Sequence, residues 1–113
     1  MPIGRIRTRS TFTTLRQHGR RARSGALRVT YVPDPTSGEA RVAFAIPRAV
    51  GTAVVRNRLR RRLRAACAEL SPPAGDYLLT VSTSAVTSTY ADLRGDLAAA
   101  LADLTEPEAV IQP

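Results

Sequence analysis

The chain has 113 residues, enough for one domain with a modest core and too few for two. Its single cysteine excludes an internal disulfide framework and a cysteine-rich zinc site, and with 4% aromatic residues and no Trp the core must come from Leu, Val, Ile and Ala. The net charge of +8 is unevenly spread: residues 1–68 hold sixteen arginines against Asp34 and Glu39, while residues 69–113 hold Arg94 against seven carboxylates.

That asymmetry is the footprint of a polyanion binder, with nucleic acid the leading partner. No charged-then-apolar leader and no long apolar run is present, so the expectation is a soluble, cytoplasmic protein with no membrane association.

In chain order, residues 1–8 (MPIGRIRT) carry Pro, Gly and spaced arginines and read as a basic arm that is only partly ordered. A short helix is predicted from about Ser10 to His18, with Ser10 as N-cap, Phe12 and Leu15 on one face and Gly19 as a left-handed stop. GRRARSG then reads as a basic turn. ALRVTYV, from Ala26 to Val32, alternates apolar and polar residues as a half-buried strand does. After the turn PDPTSG, the mostly apolar ARVAFAI, from Ala40 to Ile46, reads as a more interior strand, expected to pair antiparallel with the first.

A long helix is predicted from about Thr52 to Leu70, stopped by Ser71-Pro72-Pro73. GDYLLTV, from Gly75 to Val81, is a third strand. A final helix from about Thr89 to Leu104 places Tyr90, Leu93, Leu97, Leu101 and Leu104 at spacings of three and four. Residues 1–104 thus read as a single α+β domain, and residues 105–113, acidic and without periodicity, as a disordered tail.

RAVGTAVVRNRLRRRLRAAC, Arg48 to Cys67, contains seven arginines and no carboxylate. At 100° per residue Thr52, Val55, Leu59, Leu63, Ala66, Cys67 and Leu70 gather on one side as a core stripe. Asn57, Arg60, Arg61 and Arg64 fall opposite, and Arg56, Arg58 and Arg62 lie on the flanks. Arg56, Arg60 and Arg64 form an i, i+4, i+8 row, each like-charge pair costing about 0.2–0.5 kcal/mol, with nothing in the sequence nearby to neutralise it. Solvated helix faces normally mix signs; here phosphates can supply the missing charge. Asn57 can donate and accept toward a base edge or a ribose hydroxyl, or simply be solvated. Arg48 and Gly51, just before the helix, suit either an anion cradle or a plain turn.

No catalytic residue is assigned to the polypeptide. His18 is the only histidine, Cys67 falls on the core stripe, and Asp92, Asp96 and Asp103 read as solvated surface of the last helix.

RAVGTAVVRNRLRRRLR closely resembles the signature helix of the bacterial ribonuclease P protein component, a basic-x-x-Gly-x-Ala-Val-x-Arg-Asn-Arg core followed by further basic residues. RIRTRSTFTTLRQHGRRARSG resembles that family's opening segment, and the likeness runs from Arg5 to about Leu104. The resemblance implies a two-layer α/β sandwich, ribosomal protein S5 domain 2-like, with a left-handed βαβ crossover where ordinary topology favours the right-handed form. It implies the protein subunit of a ribonucleoprotein endoribonuclease that removes the 5′ leader of precursor tRNA. The RNA subunit performs the chemistry with Mg2+ bound mainly by the RNA, and no protein oligomer is required. It further implies that Arg48, Arg56, Asn57, Arg58, Arg60, Arg61, Arg62 and Arg64 contact ribonuclease P RNA. Phe12 would line the leader cleft, and Arg16, standing where a second aromatic is often found, would shift that cleft from stacking towards charge.

Two rivals share part of this pattern. One is a ribosomal or other structured-RNA-binding protein. The other is a DNA-binding protein with a basic helix in the major groove, against which the core stripe and the lack of a heptad segment argue.

Overall fold

Alternation along GDYLLTV decides the centre of the sheet. In this computed structural model, which describes residues 3–105, the strand Gly75–Val81 buries Tyr77, Leu79 and Val81 on one face and turns Asp76, Leu78 and Thr80 to the other. The elements are, in chain order, β1 (Gly4–Arg5), α1 (Arg9–His18), β2 (Arg20–Ser24), β3 (Leu27–Pro33), β4 (Ala40–Ala45), α2 (Ala53–Leu70), β5 (Gly75–Val81) and α3 (Tyr90–Thr105). Short 3-10 turns at Arg48–Val50 and Thr83–Thr87 flank α2 and β5. The acidic tail expected at residues 105–113 lies outside the described residues, apart from Thr105, which ends α3.

The five strands run in the order β1-β4-β5-β3-β2. The antiparallel β3–β4 hairpin expected from sequence does not form: β5 inserts between the two strands, antiparallel to β3 and parallel to β4, so that α2 is the crossover of a parallel pair. The turn after Pro33 leads away from β3, whose edge is taken by β5 through seven paired positions, Leu27 with Val81 to Pro33 with Gly75. GRRARSG is a strand rather than a basic turn, because Ala22 buries its methyl opposite Val29 while the arginines on either side stay exposed. The basic arm is likewise in part an edge strand: Gly4 and Arg5 pair in parallel with Arg41 and Val42.

One face of the sheet packs against α2 and α3. Leu59, Leu63, Ala66 and Cys67 of α2 and Leu93, Leu97, Ala100, Leu101 and Leu104 of α3 close on Val29, Val42, Leu79 and Val81. Each fully buried Leu contributes about 1.5–3 kcal/mol by leaving water. Tyr31 and Tyr77 stack at one end of this core with ring centroids 4.5 Å apart. Thr89 and Asp92 form a capping box on α3, each side chain accepting from the other's backbone N–H at 3.0 Å. Asp92 is therefore a cap, and Asp96 is also engaged, accepting from the Ala26 N–H at 3.2 Å and tying α3 to the β2–β3 turn.

α1 lies across the opposite face, so the two-layer sandwich of sheet with α2 and α3 carries one further helix on its other side. Leu15 is fully buried there, near Thr30, Leu78 and Thr80. The helix starts one residue earlier than expected and its N-cap is Thr8 rather than Ser10. Gly19 ends it in extended backbone, φ −70°, instead of the left-handed stop. Glycine is needed because a Cβ would collide with the Leu15 carbonyl and the Thr30 methyl, where the chain turns tightly from α1 into β2.

Candidate nucleic-acid interface

Local rules fix where the arginines of α2 point. Thr52 caps the helix, its hydroxyl accepting from the Val55 N–H at 3.3 Å, and the Leu59 and Leu63 anchors set the rotation that turns the other side outward. Asn57, Arg58 and Arg61 are exposed, while Arg56, Arg60, Arg62 and Arg64 are partly covered along the flanks. Arg48 is exposed in the turn before the helix. The Gly51 N–H is already used, donating to the Arg48 carbonyl at 3.1 Å, so it closes a turn and is not available to an anion.

The packing draws Arg5, which sequence reasoning did not single out, into the same group. β1 pairs beside β4, and Arg5, Asn57, Arg60, Arg61 and Arg64 line a groove of about 210 Å³. Arg64 lies over the Phe44 ring, 5.5 Å from its centroid, and donates to the Ile3 carbonyl at 3.1 Å. Arg60 donates to Asn57 Oδ1 at 2.7 Å, which fixes the amide orientation and leaves its nitrogen free to donate outward. Burial and the charge of Arg5 lower the pKa of Arg64, the response of a cation crowded by another. The Nε of Arg56 is buried without a protein acceptor.

A second cationic groove, about 150 Å³, runs between α1 and the sheet. Arg16 lines it together with Arg21, Arg28, Leu15, Leu78 and Thr80, whereas Phe12 is half-buried on α1 and does not line it. Arg21 also donates to the Arg16 carbonyl at 3.2 Å, fastening β2 to the end of α1. Sequence reasoning missed Arg21 and Arg28 because only strand pairing brings them to one face.

Among the described residues the ion pairs are Arg41 with Asp34 (3.1 Å) and Asp76 (2.8 Å), and Arg94 with Glu69 (3.1 Å). None involves an arginine of either groove. Asp34 and Asp76 are taken by Arg41, and no group of three His, Cys, Asp or Glu side chains that could hold a metal occurs among the described residues, so these residues form no cage of their own for Mg2+. Cys67 is buried and its thiol is pushed up to about 11 by desolvation, which suits packing rather than nucleophilic attack. No helix among the described residues is long and apolar enough to cross a membrane.

A single mixed sheet, a core-anchored arginine helix and a second cationic groove on the opposite face define an α+β protein with two arginine-lined surfaces. The family model for Ribonuclease P matches residues 3–105. The chain is 40% identical to the ribonuclease P protein component of Thermobifida fusca over 94% of its own length and 79% of the relative's. It is 42% identical to that of Thermus scotoductus over 80% of its length, spanning about half, 53%, of that longer protein. In fold it is similar to the RNase P protein of Staphylococcus aureus, with a TM-score of 0.80 at 18% identity, covering 89% of this chain and 94% of that one. The RNase P protein from Thermotoga maritima gives 0.73 at 20% identity, covering 93% and 98%. The chain belongs to the bacterial ribonuclease P protein component family.

Proposed function

We propose that the chain serves as the protein subunit of a ribonucleoprotein that removes the 5′ leader of precursor tRNA, with the RNA subunit cutting the phosphodiester. The observation that carries this reading is the outer side of α2: six arginines between Arg56 and Arg64, on a helix whose other side is core, with no carboxylate within ion-pair distance among the described residues. Phosphates of the catalytic RNA complete that face, because guanidinium groups bind phosphate bidentately and each neutralised phosphate releases counterions. Arg48 extends the contact at the start of the helix, and the free amide nitrogen of Asn57 donates to a base edge or a ribose hydroxyl.

The 5′ leader occupies the groove under α1. Arg16, Arg21 and Arg28 meet its phosphates there, and Leu15 and Leu78 give apolar floor. Phe12, partly exposed on α1, offers a ring on which a base can stack, a contact worth about 1–3 kcal/mol. The protein binds, orients and neutralises; Mg2+ is held mainly by the RNA. In this role the protein works in the cytoplasm, with ribonuclease P RNA and precursor tRNA as partners and no protein oligomer.

Reconstitution with a bacterial ribonuclease P RNA tests the proposal. Added protein should raise cleavage of precursor tRNA at low Mg2+ and favour leader-bearing over mature tRNA. Equal cleavage with and without the protein at every Mg2+ concentration contradicts it.

A further inference from the structure

The strand pairing sets two arginines against each other on the α1 side of the sheet. Arg23 of β2 stands directly opposite Arg28 of β3, one step from the β2–β3 turn. Ala22 and Val29, their neighbours, point into the core, so alternation sends both guanidinium groups to the other face. Like charges directly opposite in an antiparallel pair destabilise it, and neither arginine has an ion-pair partner among the described residues. An edge strand with one positive charge is protected against unwanted pairing. A facing pair goes beyond that need and leaves a site that an anion would relieve.

A groove lies at this pair. It is about 260 Å³, lined by Arg23 and Arg28 with Thr80, Ser82, Gly25 and Ala26, whose N–H is already given to Asp96, and it shares Arg28 and Thr80 with the groove under α1. The two are therefore successive stations along one face of the sheet, with Arg16 and Arg21 at one end, Arg28 at the junction and Arg23 at the far end. Arg21 and Arg23 are two residues apart on β2, about 6.6 Å of strand, comparable to one nucleotide of an extended chain. The lining has charge and hydroxyl groups but no exposed aromatic side chain, so it suits the sugar-phosphate backbone rather than a stacked base.

We infer that the Arg23–Arg28 pair is a phosphate-binding extension of the α1 groove that takes up the part of the 5′ leader upstream of the nucleotides held against α1. The inference rests on the leader-binding reading above. It gives the protein a longer single-stranded footprint that is indifferent to base identity.

The test uses the holoenzyme reconstituted with ribonuclease P RNA and precursor tRNAs carrying a short leader, which ends within the α1 groove, or a long one. Arg23 is the residue to change, since it lines the extension alone. With wild-type protein the long leader should bind more tightly than the short one. Arg23→Thr should remove most of that gain and make the long-leader salt slope shallower by about 0.7, the share of one single-strand phosphate, with short-leader binding unchanged. Arg23→Glu should abolish the gain while melting no lower than wild type, because Glu faces Arg28 as an opposite charge. Arg23→Lys should restore most of it.

A long-leader gain that survives Arg23→Glu overturns the inference. So does an equal loss with both leader lengths, or weaker binding of the ribonuclease P RNA itself, which would assign the pair to the catalytic RNA. If the wild-type holoenzyme makes no distinction between leader-bearing and mature tRNA, the leader-binding reading itself falls, and the inference with it.

Discussion

The guanidinium carbon of Arg64 stands 5.5 Å from the centroid of the Phe44 ring, and the same side chain reaches the carbonyl of Ile3, sixty-one residues away, at 3.1 Å. One arginine of the helix thus has a structural task, clamping β1 against the sheet edge, that its exposed neighbours lack. Arg64→Ala should free β1 locally, a loss of about 1 kcal/mol from the cation–π contact alone. Hydrogen exchange of the Ile6 amide, which donates to the Val42 carbonyl at 3.3 Å, should quicken while the β5 amides keep their protection. Uniform loss of protection across the sheet would show that Arg64 supports the whole fold instead.

The core-facing side of α2 and its outer arginines were legible in the sequence because helical spacing is local: Leu59, Leu63 and Cys67 are buried, and Asn57, Arg58 and Arg61 exposed, as a 3.6 period requires. The end of α2 was legible too, since Ser71 takes a left-handed cap just before Pro72. What escaped was non-local. β2 offers only Ala22 to the core and so lacks the apolar alternation of a strand; it exists because β3 presents an edge to it. β5 enters between β3 and β4 from some thirty residues downstream of β4, which no pattern in either strand announces. Arg5, Arg21, Arg23 and Arg28 were invisible as site residues for the same reason, since pairing alone groups them.

At Gly19 the constraint is space. Gly19→Ala would push a methyl into the Leu15 carbonyl and the Thr30 side chain, where α1 passes over β3. The expected cost is about 1–3 kcal/mol, read as a lower urea midpoint at constant slope. A midpoint equal to wild type would mean that the α1–β2 corner is looser than its geometry indicates.

Asp96 separates folding from binding. Its carboxylate accepts from the Ala26 N–H at 3.2 Å, and its side chain lines neither the α2 groove nor the groove under α1. Asp96→Ala should lower stability by about 1–3 kcal/mol, the penalty of leaving that turn amide unsatisfied, with affinity for ribonuclease P RNA unchanged under conditions where the protein is folded. A fall in affinity without a fall in stability would contradict this division.

Alkaline pH should unfold the protein more readily. Desolvation raises the Cys67 thiol from 9.0 to about 11 and raises the Tyr77 phenol as well. Both groups have folded pKa values above their unfolded ones: the Cys67 share is present in full below pH 9 and is lost as pH climbs from 9 towards 11, while the Tyr77 share begins to be lost only above pH 10. Cys67→Ala removes the thiol's part, so its urea midpoint should decline less than that of wild type over this window. An equal decline would assign the alkaline loss to other groups.

The account depends most on the claim that the outer face of α2 is completed by RNA phosphates. Arg58 and Arg61 are the cleanest probes, being exposed and outside every ion pair among the described residues. The decisive measurement is the salt dependence of binding to ribonuclease P RNA by the Arg58→Ala, Arg61→Ala double variant. The account predicts an unchanged melting temperature, weaker binding at low salt, and a log–log slope shallower by about 1.4–1.8, the share of two phosphates. A slope equal to wild type would contradict it.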